Sequence, residues 1–115
     1  MKNQEEVKKN VSKVIKQIYV GLMGRVVENI ETYVLDTKIL VVLQNVLSVS
    51  ERNAIKNPMG RKIIKETFRT IVENSRDQFL IAASVATDVD VVEMHHDISL
   101  DTGKEIIVFS LSKPE

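Results

Sequence analysis

The residues best suited to chemistry lie together in the stretch Glu93-Met94-His95-His96-Asp97. Side chains two apart in an extended chain project from the same side, so His95 and Asp97 share a face and His96 takes the other. A carboxylate beside an imidazole can orient it as a general base, or the two can chelate a metal. Regular alternation keeps His96 out of that pair. A plainer reading weighs more: strand ends are commonly polar, and Asp97 can bond backbone amides of the turn that follows.

Arg25 and Arg61 each follow a glycine near a helix boundary. There an exposed guanidinium can clamp a carboxylate, bicarbonate or phosphate, although a plain surface ion pair weighs more. Asp88, Asp90, Asp97 and Asp101 form an acidic stretch but lack the fixed spacing and glycine of a calcium loop. The chain has no glycine-rich phosphate loop, nucleophile elbow or zinc-protease motif. No catalytic residue, metal or cofactor is assigned on these grounds. Arg25, Arg61, His95 and Asp97 remain as candidate ligand-binding residues.

Composition narrows the setting in which these residues work. At 115 residues the chain has the size of one domain, expected to span 1–115, and can bury a core without covalent staples. Lys plus Arg and Asp plus Glu balance at 16 each, so no global field draws the protein to nucleic acid or to an anionic membrane. The absence of cysteine excludes disulfides, thiolate metal sites and cysteine nucleophiles, and fits a reducing cytoplasm. Met1 to Lys16 carries charge throughout and reads as neither signal peptide nor anchor. Apolar runs such as Ile39 to Leu43 are far shorter than the ~20 residues of a membrane helix, so no direct membrane insertion is expected.

The elements that must position the candidates follow from periodicity. Val7, Val11, Val14, Ile15, Ile18 and Leu22 recur at helical spacing, with Asn3 and Glu6 at the spacing of a capping box and Gly24 placed to end the helix. Two β-rich segments, Ile30 to Leu35 and Lys38 to Gln44, are joined by Asp36-Thr37 as a tight hairpin. Ser48 and Glu51 open a short helical turn that stops before Pro58. A second long helix is predicted from Met59 or Gly60 to Ala86. A second hairpin then pairs Val89 to His95 with Glu105 to Leu111 through a turn at Asp101-Thr102-Gly103-Lys104, and a short tail, Lys113-Pro114-Glu115, follows.

The predicted fold is α+β: two helix–β-hairpin units forming a four-stranded, mainly antiparallel sheet, packed with two long helices and one short helical turn. Ile39 to Leu43 and Ile106 to Phe109 are apolar on both faces, so these strands belong at the centre. Two helices on one face leave the other bare. Either the helices divide between the faces or a second subunit supplies the missing layer, which makes a homodimer or higher homo-oligomer the expectation.

Leu22-Met23-Gly24-Arg25, Glu31-Thr32-Tyr33, Gly60-Arg61, Arg69, Arg76, His95-His96-Asp97-Ile98-Ser99, Thr102-Gly103 and Ile107-Val108-Phe109 run through nearly the whole chain in one order. That pattern resembles the bacterial MpsC-like family, a domain of unknown function. The family tends to follow its first Gly-Arg with Gly-Pro, where this chain has Val26-Val27. The resemblance implies an accessory or regulatory cytoplasmic protein linked to a membrane-potential-generating, inorganic-carbon uptake system, with a membrane-transport complex as partner. The first reading is thus a non-enzymatic module that self-associates; the second is a sensor for an anion or small molecule using Arg25, Arg61, His95 and Asp97. An enzyme using His95 and Asp97 as base and orienter ranks last.

Overall fold

The computed structural model describes residues 3–114. Met1, Lys2 and Glu115, the last residue of the predicted tail, lie outside the described residues. In chain order the elements are α1 (Gln4–Met23), β1 (Ile30–Leu35), β2 (Lys38–Leu43), α2 (Val49–Ala54), α3 (Pro58–Asn74), α4 (Arg76–Thr87), β3 (Val91–Ser99) and β4 (Lys104–Leu111).

Local chemistry sets most of the boundaries. The Asn3 side chain accepts the Glu6 amide at 2.8 Å and starts α1. Gly24, at φ 69°, ends it with its N–H on the Val20 carbonyl. Ser48 and Glu51 form a complete, reciprocal capping box at α2. At α3, Asn57 caps and Pro58 occupies the first turn, where its missing N–H costs nothing.

The predicted second long helix is interrupted at Ser75, whose backbone (φ −108°, ψ 13°) leaves the helical region between α3 and α4. The break has a packing reason. Phe68 and Val72 before it and Phe79, Ala83 and Ala86 after it are all buried, and the bend lets both segments bury those faces in one core. Arg76 fastens the corner by donating from Nη1 to the Met94 carbonyl on β3 at 2.8 Å.

The four strands lie in the order β1-β2-β4-β3, every neighbour antiparallel. The predicted central pair, β2 and β4, is central. The third strand starts later and runs further than predicted, Val91–Ser99 rather than Val89 to His95, because the long β4 supplies partners as far as Lys104 opposite Ser99. His95 and Asp97 are therefore within a ladder, opposite Val108 and Ile106, and not at its end.

Burial alternates along β2 and through most of β1, β3 and β4, broken by a bulge at Val91–Glu93 and by the consecutively buried Phe109, Ser110 and Leu111, and it identifies one covered face. Thr32, Ile39, Val41, Leu43, Met94, Ile98, Ile107 and Phe109 are buried. The helices attach on that side: Ser12 of α1 shares a 2.7 Å hydrogen bond with Thr32, and Glu73 of α3 meets His96. Side chains of the other face, including Leu35, Tyr33 and Ile106, are exposed, and Leu40, Val42 and Val108 are half-buried. The helices do not divide between the faces.

Candidate functional site

The four candidate residues do not form one constellation. Arg25, in the loop after α1, donates from Nη2 to the Glu51 carboxylate at 2.6 Å and to the Val46 carbonyl at 2.7 Å. It ties the end of α1 to the capping box of α2. Arg61, on α3, reaches Asp101 at 3.0 Å, and the two line a shallow depression of about 380 Å³ together with Lys62, Lys65 and Asp97. Asp97 faces Lys65 at 3.7 Å and accepts the Ile98 amide at 2.9 Å. His95 faces Glu93, 3.2 Å from its carboxylate.

The opposite side of β3 holds the arrangement that alternation alone had set aside. His96 shares its face with Met94 and Ile98 and points into the covered side, its side chain only 7% exposed. Its Nε2 lies 2.5 Å from Glu73 Oε2 on α3, and its Nδ1 lies 3.4 Å from Glu105 Oε1 on β4. Glu105 is 1% exposed, and neither of its oxygens has a hydrogen-bond partner among the described residues; the Tyr19 hydroxyl, also buried, is in the same position. Arg76 holds Glu73 from its other side, at 3.0 Å.

The electrostatics follow from this line of groups. Contact with Glu105, supported by Glu73, raises the His96 pKa above its ordinary 6.5 against the opposing effect of burial. Burial raises the Glu105 carboxyl above its ordinary 4.5, partly offset by His96. Burial, followed by the nearby Glu105, pushes the Tyr19 phenol up. Arg76 holds the Glu73 carboxylate below its ordinary value. A neutral imidazole can donate from one nitrogen only, whereas an imidazolium serves both carboxylates. The raised His96 pKa favours the imidazolium, which faces Glu73, 41% exposed, on one side and the buried Glu105 on the other. The two carboxylates flank opposite ring nitrogens and share no common point, and no cluster of three such donors suited to a metal occurs among the described residues.

A sequence signal for this group existed. Glu105 has the same parity as Ile107, Phe109 and Leu111 on a central strand, so an acid had to be buried there. A buried carboxylate needs a partner, and His96, which aligns with Met94 and Ile98, was the residue available.

Comparison with known proteins bears on the whole chain. Residues 3–113 match the family model described as "Na+-translocating membrane potential-generating system (MpsC)". The chain belongs to the MpsC family. A relative, the uncharacterized protein YbcI of Bacillus subtilis (strain 168), is 27% identical over 110 residues, covering 96% of this chain and 89% of that protein. No solved structure gave a significant match.

Several of the residues that carried the resemblance to MpsC proteins have structural work. Gly24 and Gly103 both adopt a φ of 69°, which only glycine takes without strain. A Cβ at Gly60 would come within 1.8 Å of the Ala54 carbonyl oxygen, so glycine is what lets α3 start hard against α2. Arg25 and Arg76 bind backbone carbonyls across the fold. Val27, at the departure from the family's Gly-Pro, is buried in the core. No helix among the described residues is long and apolar enough to cross a membrane.

Proposed function

We propose that this MpsC protein is a non-enzymatic, cytoplasmic accessory module of a sodium-translocating, membrane-potential-generating system, acting by association through the helix-free face of its sheet. The observation that carries this reading is the form of that face: an apolar centre of Leu40, Val42, Ile106 and Val108 on the two inner strands, flanked on the outer strands by Glu31, Tyr33, Glu93, His95 and Asp97, with Leu35 the apolar exception. An apolar centre with a polar rim is the anatomy of a protein interface. His95 and Asp97 lie on that rim rather than in a closed pocket, and Arg61 and Lys65 already face carboxylates, which favours a partner over a bound anion.

The test is physiological. Removing the gene from its host is expected to lower the sodium-supported membrane potential read by a voltage-sensitive dye. The wild-type chain is expected to restore it and Ile106→Asp, on the open face, to fail at equal expression. An unchanged potential after removal overturns the accessory role.

A further inference from the structure

We infer that the open face is closed by a second copy of this chain, in a two-fold, sheet-on-sheet dimer whose axis runs across the strands. This rests on the association reading above and adds its partner and geometry.

Tyr33 lies opposite Leu40, Leu40 opposite Val108, and Val108 opposite His95, making one row across the open face. The next row on the same face is Glu31, Val42, Ile106 and Asp97. Both rows are apolar in the middle and polar at the β3 end. Face-to-face pairing through a two-fold axis must superpose these rows in a way that avoids like charges.

A half-turn about an in-plane axis between the rows, parallel to them, exchanges one row with the other strand by strand. Leu40 then faces Val42 of the partner subunit, and Val108 faces Ile106 of the partner subunit. Asp97, whose carboxylate also lies 3.7 Å from Lys65 of its own chain, then stands opposite His95 of the partner subunit, an acid against a base, and Glu31 meets Tyr33 of the partner subunit. The Tyr33 hydroxyl already donates to Glu31 within one chain at 2.5 Å, so that pairing is chemically matched. A half-turn about an axis along the strands instead lays β1 on β3, setting Glu31 against Asp97 of the partner subunit. It also places Leu35 against Glu93 of the partner subunit. Opposed carboxylates and an apolar group over an acid disfavour that alternative.

Size is consistent with self-association. Four strands about 4.8 Å apart and six to nine residues long present a face on the order of 500 Å² in projection. That is within reach of the roughly 800 Å² of accessible surface per partner in a standard interface.

The absence of cysteine gives a direct test. Light scattering of the purified chain at micromolar concentration is expected to give twice the 13.0 kDa chain mass. Ile106→Asp should give the monomer mass with an unchanged circular dichroism spectrum. Mixing His95→Cys with Asp97→Cys under mild oxidation should yield a disulfide-linked dimer, while mixing His95→Cys with Tyr33→Cys should yield little. A monomeric wild type overturns the dimer even if the potential assay upholds the accessory role. A dimer that links 95 to 33 in preference to 95 to 97 overturns the axis. An Ile106→Asp variant that remains a folded dimer overturns the face.

Discussion

The two faces of the one sheet contrast sharply although they share the same strands. On the covered face, Ile39, Val41, Ile107 and Phe109 are sealed by helices, yet that side also holds the buried Glu105 and His96. On the open face, the inner strands carry Leu40, Val42, Ile106 and Val108, while ionisable groups stay at the edges. An ionisable group is kept in the interior where a partner is supplied across strands and helix, whereas the open face keeps its ionisable groups at the rim and its centre apolar. Burial in one chain and readiness for a second chain leave different signatures on adjacent residues.

The largest break in this comparison is expected at Phe109. Phe109→Ala should lower the free energy of unfolding by roughly 3–5 kcal/mol, since the ring is fully buried. Its neighbour Val108, on the other face, should lose only about 1 kcal/mol on truncation to Ala at nanomolar concentration, and more where the dimer forms. Denaturant melts across protein concentrations check both. A loss below about 1 kcal/mol for Phe109→Ala contradicts the covered face.

The buried pair sharpens the contrast through pH. His96 and Glu105 both have folded pKa values above their unfolded ones, so the folded chain binds more protons than the unfolded chain in that interval. Stability from this pair should therefore be fully present at acidic pH. It should be lost as pH rises from the ordinary carboxylate value, 4.5, through the raised value of His96. Glu73, whose pKa is lowered, works in the opposite sense below 4.5. Glu105→Gln removes the buried acid and the main cause of the raised His96 pKa. The decline in denaturation midpoint from about pH 5 to about pH 8 should shrink in that variant, and an unaltered decline counts against the pairing.

The smallest effect belongs to the rim. Asp97 bonds the Ile98 amide, a role that the Asn carbonyl can keep, so Asp97→Asn should cost about 1 kcal/mol or less in a denaturant melt. A loss above about 2 kcal/mol would place Asp97 among structural rather than surface groups.

Much of this was legible in the chain itself because the signals are local. Asn3, Ser48, Glu51 and Gly24 announce helix ends within a few residues of where their bonds form, and the apolar inner strands announce their central place. The alternation of His95 and Asp97 correctly put them on one face, but their partners, Glu93 and Lys65, depend on rotamers and on a helix 30 or so residues away in sequence. Arg25 and Arg61 were visible as cations; that Glu51 and Asp101 neutralise them was not.

The sequence determined which segments became helices and strands and which positions of each strand were apolar, since propensity, caps and alternation act over a few bonds. Only the tertiary structure decided that the helix breaks at Ser75, that every helix lies on one face, and that His96 lies between Glu73 and Glu105. Those outcomes depend on the register of β3 against β4 and on how much apolar surface each arrangement removes from water, quantities that belong to the assembled core and to no single segment.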